Sequence, residues 1–125
     1  MSATFVRLFQ PRFADLVESG KKLQTIRKRP RRMPEVGDMI ICRAWTGTPY
    51  RSKQRDLCSA PITLVKDVQI DAADVVLDGE KLSDADLERF AQADGFSSSE
   101  DMLDWFSETH ELPFEGILIS WANLG

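Results

Sequence analysis

The chain has 125 residues, of which 42% are hydrophobic, and it carries a formal net charge of −4. This length supports one hydrophobic core rather than two, so we predict a single domain over residues 1–125. No apolar stretch approaches the roughly 20 residues of a membrane-spanning helix, and the first residues lack the apolar run of a secretory signal. We therefore expect a cytoplasmic protein without a membrane partner.

The charged residues are divided unevenly along the chain. Residues 1–66 hold 14 lysines and arginines against 5 acidic residues, whereas residues 67–125 hold 2 against 15. The densest basic segment is SGKKLQTIRKRPRR, residues 19–32. This asymmetry predicts a basic face that attracts polyanions and an acidic face that repels them. The alternative is that the two halves interleave in space and neutralise each other.

The first predicted elements are a strand, a helix and a second strand. Residues 4–9 combine β-branched and aromatic side chains, which favours a strand. A helix begins near Pro11, because the apolar residues that follow recur at the spacing of one helix face. Gly20 marks the end of this helix. Residues 23–28 have the composition of a short strand.

The middle of the chain is dominated by strands. Two prolines break residues 29–38 into a loop, and residues 39–45 form a clear strand. A second loop over residues 46–56 leads into residues 57–70, which we predict to be one or two strands with a bend at Pro61.

The acidic half begins with a hairpin and continues with two helices. The Asp-Gly pair at residues 78–79 is a hairpin signal. Ser83 has the character of an N-cap for a helix that runs to about residue 93. Ser97 caps a second helix in the same way, and residues 114–124 close the chain as a strand.

This order of elements predicts an α+β fold, since strands and helices do not alternate regularly. Five to six short strands in so small a chain would most readily curl into a small β-barrel with flanking helices. A sheet with flanking helices is the broader form of this prediction.

The cysteines and the single histidine give no sign of a metal or cofactor. Cys42 and Cys58 lie in apolar segments without ligand spacing, so we predict reduced core residues. His110 has no cysteine or carboxylate at the spacing of a metal site. We predict no metal and no cofactor.

Five sequence blocks occur in an order that resembles the ASCH domain family, which belongs to the PUA-like superfamily of small pseudo-barrels. The blocks are GKKLQTIRK, VGD, WTGTPYRSK, ADGF and GILISW, and together they extend over nearly the whole chain. The most specific block is a Gly-x-Lys-x-x-Thr-x-Arg pattern, matched by Gly20, Lys22, Thr25 and Arg27.

The resemblance implies a PUA-like barrel and three kinds of activity. Relatives in the superfamily bind RNA, some ASCH proteins are amidohydrolases that remove the acetyl group from acetylcytidine, and others are associated with RNA cleavage. Carried over to this chain, the amidohydrolase site would consist of Lys22, Thr25 and Asp94. Those amidohydrolases have Glu at the position of Asp94, and their lysine and threonine are more closely spaced.

These three residues suit an acyl-transfer reaction. A threonine hydroxyl needs a base at neutral pH, and a partly desolvated Lys22 near Arg27 would have its charged form disfavoured. Asp94 would orient the lysine or pass a proton to the leaving amine. The alternative is structural: Lys22 is a solvated cation at a helix end, Thr25 an ordinary strand residue, and Asp94 the cap of a turn.

Two further segments have the composition of a nucleic-acid contact. The segment 45–55 combines aromatic rings with cations, as single-stranded nucleic acid requires, and residues 27–32 form a basic run that favours phosphate without reading sequence. The candidate binding residues are Arg27, Lys28, Arg29, Tyr50, Arg51, Lys53 and Arg55. Trp45 could instead be the buried end of a strand, with Tyr50 packed under a turn.

Three classes of function follow from these patterns. The first is an RNA- or nucleotide-binding ASCH domain with a basic cleft, acting in RNA processing or modification. The second is a hydrolase, either an acetylcytidine-type amidohydrolase or a ribonuclease. The third is a non-catalytic module that binds a small ligand or a protein. The expected partner is RNA or a nucleoside-type ligand, and the sequence does not specify an oligomeric state.

Overall fold

Seven strands and three helices make up residues 2–124, the part of the chain that the computed structural model describes. In chain order they are β1 (Thr4–Leu8), α1 (Pro11–Glu18), β2 (Gln24–Lys28), β3 (Met39–Trp45), β4 (Gln54–Ile70), β5 (Val75–Leu77), β6 (Glu80–Lys81), α2 (Asp84–Ala93), α3 (Ser99–Thr109) and β7 (Phe114–Trp121). The predicted α+β class is confirmed.

The strands form one mixed, branched sheet. β1 pairs in parallel with β3, which pairs antiparallel with β4, and β4 continues to β5 and β6. β7 pairs antiparallel with both β4 and β2. Within residues 2–124 these pairings do not close a ring, because β1 pairs with β3 alone and β2 with β7 alone. The sheet therefore has seven strands rather than five or six, and it is not closed into a barrel.

The longest strand, β4, serves both arms of the sheet. Its first part pairs with β3 and its second part with β5 and β7. The predicted bend at Pro61 falls within this one strand, where the pairing register with β7 shifts between Ile62 and Leu64. The predicted loop over residues 46–56 ends too late, because Arg55 and Asp56 pair with residues of β3 and Arg43 bonds Asp56 at 2.7 Å.

Local capping explains where the helices begin and end. Pro11 occupies the first turn of α1, as predicted, and Gly20 follows the helix with a φ of +79°. The Ser83 hydroxyl accepts from a backbone N–H in α2. The predicted cap at Ser97 is wrong by one residue: Ser98 caps α3, while the Ser97 N–H and hydroxyl both donate to the Asp101 carboxylate.

The buried side chains form one cluster between the sheet and the helices. Helix α1 packs on β3 and β4, and α2 packs on α3. Phe13 of α1 meets Phe96 and Trp105 edge-on, with ring centroids 5.3 and 5.8 Å apart. This aromatic contact brings the end of α2 and the face of α3 against α1. None of the helices in residues 2–124 has the length and apolarity needed to cross a bilayer.

Strand β2 depends on a close approach to β7 at Gly116. A Cβ atom at this position would overlap the carbonyl oxygen of Arg27 and lie 3.0 Å from a ring carbon of Phe114. We expect Gly116→Ala to lower the free energy of unfolding by about 3 kcal/mol, because the overlap is with rigid backbone. Urea unfolding monitored by circular dichroism measures the loss.

Gly47→Ala is the matched control, since the nearest atom to its added methyl would be the Ser52 Cβ at 3.5 Å. It should change stability by less than about 0.5 kcal/mol. Equal losses in the two variants would show that the approach of β7 to β2 does not constrain the fold.

Candidate functional site

The central feature of the site is a buried ion pair between Lys22 and Asp94. The Lys22 Nζ donates to the Asp94 backbone carbonyl at 2.5 Å and lies 3.3 Å from its Oδ2. The two residues are only 2% and 4% exposed. Lys22 precedes β2, and Asp94 is the C-cap residue of α2, so the pair joins segments 72 positions apart.

A glycine turn makes room for the lysine. Gly95 has a φ of +97°, a conformation that glycine adopts without steric cost. A Cβ atom there would lie 3.1 Å from the Lys22 Cδ and 3.2 Å from a ring carbon of Phe13. In the Asp-Gly-Phe turn after α2, the backbone carbonyl and the carboxylate of Asp94 therefore contact the Lys22 Nζ. The aliphatic part of the Lys22 side chain packs against Gly95.

Burial pulls both members of the pair towards their neutral forms. The pKa of Lys22 is lowered, because desolvation outweighs the opposing effect of the Asp94 charge, and the Arg27 charge adds to the lowering. The pKa of Asp94 is raised by desolvation, and the Lys22 charge opposes that rise. The Lys22 Nζ also lies 5.0 Å from the ring centroid of Phe13, an attractive cation–π distance.

Polar side chains of β2 complete the network. Gln24 donates to the Asp94 Oδ1 at 3.2 Å. The Arg27 Nε donates to the Thr25 Oγ1 at 3.0 Å, and its Nη2 donates to the Leu8 carbonyl at 2.8 Å. Burial, and next the charge of Arg7, lower the pKa of Arg27 to about 10. Because Thr25 accepts from Arg27 through its oxygen, its hydroxyl proton can be donated to a bound ligand.

These groups line a cavity of 340 Å³. Aromatic rings form much of its wall, and the exposed residues Gln10, Lys28 and Thr109 mark its opening. The ring-bearing residues are Phe9, Phe13, Phe96, Trp105, Phe106, His110 and Phe114. The cavity thus combines apolar ring surfaces with the buried polar groups Lys22, Thr25 and Asp94.

His110 forms part of this wall, in surroundings that favour its neutral imidazole form. Its ring stacks on Phe106 at 5.5 Å between centroids and lies 4.8 Å from the ring centroid of Phe114. Burial, followed by the Lys28 charge, lowers the pKa of His110. A neutral imidazole can donate through one ring nitrogen and accept through the other.

The structure brings the three candidate catalytic residues to one cavity, together with two of the candidate binding residues. Lys22, Thr25 and Asp94 all line it, and so do Arg27 and Lys28. Thr25 and Arg27 are two positions apart on β2 and so lie on the same side of the strand, in agreement with their hydrogen bond. The solvated alternative for Lys22 is wrong, because the side chain is buried.

The remaining candidate binding residues lie outside the cavity. Arg29 pairs with Asp67, and Arg55 pairs with Glu18 at 2.9 Å and with Asp15 at 3.6 Å. These carboxylates compete with phosphate for both arginines, which weakens their predicted role as phosphate contacts.

The hairpin between β3 and β4 forms a separate exposed surface. Tyr50 is 88% exposed, and its ring lies 5.2 Å from that of half-buried Trp45. Arg51 and Lys53 are also exposed. The alternative in which Tyr50 packs under a turn is therefore wrong, and the structure does not bring this hairpin to the cavity.

Two residues of the site are not predicted from the sequence. Gln24 holds the carboxylate of Asp94, yet nothing in its position separates it from an ordinary polar strand residue. His110 was considered only as a metal ligand, although it forms part of an aromatic wall. Its place beside the rings of α3 was the signal that could have identified it.

Comparisons with known proteins found no match for this chain among family models, curated proteins or solved structures. What the fold and the site define is an α+β protein with an aromatic cavity around a buried lysine–aspartate pair. The resemblance to ASCH domains rests on the motif residues quoted above.

The ion pair makes a specific pH dependence testable. We expect Lys22→Met to lower the free energy of unfolding by about 3 kcal/mol at neutral pH, because Asp94 loses its buried cation. The Lys22 charge lowers the pKa of Asp94, so its removal should raise that pKa. A carboxyl group whose pKa is higher in the folded than in the unfolded state contributes its full stabilisation of the fold at pH values below the unfolded-state pKa. It loses that contribution as the pH rises through the folded-state pKa.

The destabilisation should therefore shrink as the pH falls from about 7 towards about 4, where the unfolded aspartate begins to take up its proton. Urea unfolding over this pH range measures the trend. Lys21→Met is the control, since Lys21 is exposed and should show no such dependence. A Lys22→Met loss that is independent of pH would contradict a raised pKa of Asp94 in the variant.

Proposed function

We propose that this chain is an ASCH-like domain that binds the base of a nucleoside, free or within RNA, in the aromatic cavity. The supporting observation is the combination of ring surfaces with buried polar groups in one cavity of 340 Å³. A nucleobase has flat apolar faces and a hydrogen-bonding edge, so it matches both parts of such a wall. The volume falls in the range of small-molecule sites, about 300–1,000 Å³.

The polar groups of the cavity supply both donors and acceptors for the edge of a base. The Asp94 carboxylate accepts, the Thr25 hydroxyl can donate, and the His110 imidazole can do either. Two of these groups are already fixed in place. The Asp94 carboxylate contacts Gln24 and Lys22. The Thr25 hydroxyl accepts a hydrogen bond from Arg27. A preorganised polar edge lowers the entropy cost of binding.

The basic rim of the cavity suits the phosphates of a nucleic acid. Lys28 is exposed at the opening, and Arg31 and Arg32 of the following loop are exposed as well. Such cations attract phosphate without reading sequence. In this proposal the cavity selects the base, and the rim holds the strand or the nucleotide. A relationship of this open sheet to the PUA-like barrels and a cytoplasmic location belong to the same proposal.

The lowered pKa of Lys22 favours hydrolysis of an amide on the bound base as a second candidate function. A neutral Lys22 amine would take the proton of the Thr25 hydroxyl while the Thr25 oxygen attacks the amide carbonyl. The protonated lysine would then give that proton to the leaving amine, and water would release the acyl group from Thr25. Acetylcytidine, an amide on a base, is the substrate that the ASCH resemblance suggests.

RNA binding can be tested at the rim of the cavity. We expect a short single-stranded RNA to bind at low salt, with an affinity that falls steeply as salt is added. Lys28→Ala should weaken binding roughly uniformly across sequences and reduce the slope of log K against log salt by about 1. Fluorescence anisotropy of a labelled oligonucleotide measures both effects.

Two controls separate the rim from other basic surfaces. Lys81→Ala removes an exposed lysine that pairs with Asp74, away from the cavity, and should leave RNA affinity unchanged. Lys53→Ala removes a cation of the hairpin. A larger loss from Lys53→Ala than from Lys28→Ala would move the binding surface to the hairpin, and absence of RNA binding at low salt would contradict the proposal.

Catalysis can be tested by mass spectrometry of a short RNA that carries one acetylcytidine. We expect the native protein to remove the acetyl group and Thr25→Val to remove none, since valine keeps the shape without the hydroxyl. Turnover should rise with pH and reach its plateau below the ordinary lysine pKa of 10.5, because the pKa of Lys22 is lowered. Lys21→Met should retain full turnover.

The same experiment distinguishes the other candidate functions. Strand scission by the native protein alone would indicate a ribonuclease. An RNA that binds but is not chemically altered would indicate a non-catalytic binding module. Thermal stabilisation by free cytidine, without binding of RNA, would indicate a protein that binds a small ligand.

A further inference from the structure

The two cysteines of the chain lie directly opposite each other in the sheet. Cys42 on β3 pairs with Cys58 on β4 in an antiparallel register, and both are free thiols. The sequence has no other cysteine. Each lies in an apolar segment of the sequence, and only the pairing of β3 with β4 brings the two residues opposite each other.

Directly opposed residues in antiparallel strands have Cα atoms about 4.5 or 5.5 Å apart. Disulfides span Cα separations of about 4.4–6.8 Å, so either kind of pair satisfies this requirement. From this register we infer that Cys42 and Cys58 form a reversible intramolecular disulfide when the folded chain meets a peroxide. The inference is independent of the proposed function.

The two thiols differ in access, which sets the order of the reaction. Cys58 is half-buried and lines a second cavity of 280 Å³ that includes Glu18 and Asn123. Cys42 has no exposed surface, and burial, followed by the neighbouring Cys58, raises the pKa of its thiol. The thiol that a peroxide can reach is therefore Cys58.

The reaction proceeds in two balanced steps. The Cys58 thiolate attacks one oxygen of the peroxide and breaks its O–O bond, giving a Cys58 sulfenic acid and hydroxide. The Cys42 sulfur then attacks the Cys58 sulfur, forming the S–S bond and breaking the S–OH bond. The departing hydroxyl takes the Cys42 proton and leaves as water. The two thiols are oxidised, and the peroxide is reduced.

The strand geometry next to the pair permits the closer approach that a disulfide needs. The register shifts immediately after Cys42, since Arg43 pairs with Asp56 and Leu57 is left without a partner in the ladder. Opposed Cβ atoms lie about 4.5–5.5 Å apart, whereas a disulfide requires about 3.5–4.5 Å. A bulge is a point at which a strand can bend, so β4 can adjust there without losing its pairing elsewhere.

The inference is tested on the folded native chain with hydrogen peroxide as the oxidant. After treatment the protein is denatured, alkylated with iodoacetamide and weighed intact. Untreated protein should take up two alkyl groups. Treated protein should take up none and weigh two hydrogen atoms less, apart from oxygen added to methionine, and dithiothreitol should restore both alkylation sites. A peptide linking residues 42 and 58 identifies the bond.

Single variants define the order of events. Cys42→Ser should stop at a Cys58 sulfenic acid that dimedone traps, and Cys58→Ser should leave Cys42 reduced. Met33, which is 36% exposed, reports whether the peroxide dose is sufficient. Two alkylatable cysteines in protein whose Met33 is already oxidised would overturn the inference, as would a disulfide-linked dimer on a non-reducing gel in place of the internal bond.

Discussion

The buried ion pair between Lys22 and Asp94 is the constraint on which the site depends. Taking two charges out of water has a large desolvation cost, and such a pair adds little stability compared with apolar packing. Its effect here is positional: it fixes the end of α2 against the start of β2, across 72 positions of sequence. The aromatic rings around it exclude water and at the same time form the wall of the cavity.

The uneven charge of the chain has its explanation in the same arrangement. The basic first half and the acidic second half meet in space, through Lys22 with Asp94, Arg12 with Asp101 at 2.5 Å, and Arg29 with Asp67. The interleaved alternative therefore applies to part of the basic segment. Cations such as Lys28 and Arg31 remain exposed on the other part. The positive surface is consequently smaller than the sequence suggests, and Lys28 places part of it at the opening of the cavity.

Elements with strong local signals could be predicted from the sequence, and those set by distant partners could not. Strand β3 matches its predicted bounds because its short apolar run, interrupted only at Arg43, favours a strand. The beginning of β4 depends on its pairing with β3. The N-cap of α3 depends on which serine hydrogen-bonds the Asp101 side chain, and that serine is Ser97. In the site, the resemblance to ASCH domains predicts Lys22, Thr25 and Asp94. Gln24 and His110 acquire their roles only from the folded neighbours that surround them.

The double pairing of β4 determines where the chain can tolerate a break. Because β4 bonds β3 with its first part and β7 with its second, the hydrogen-bonded ladders connect the β1–β3 arm to the β2–β7 arm through this strand. New termini inside it would divide that ladder system in two. The exposed turn at Gly79 lies beyond the pairing of β4 with β7, and termini placed there interrupt only the short β5–β6 hairpin. A break in the backbone at Gly79 should therefore be tolerated better than a break inside β4.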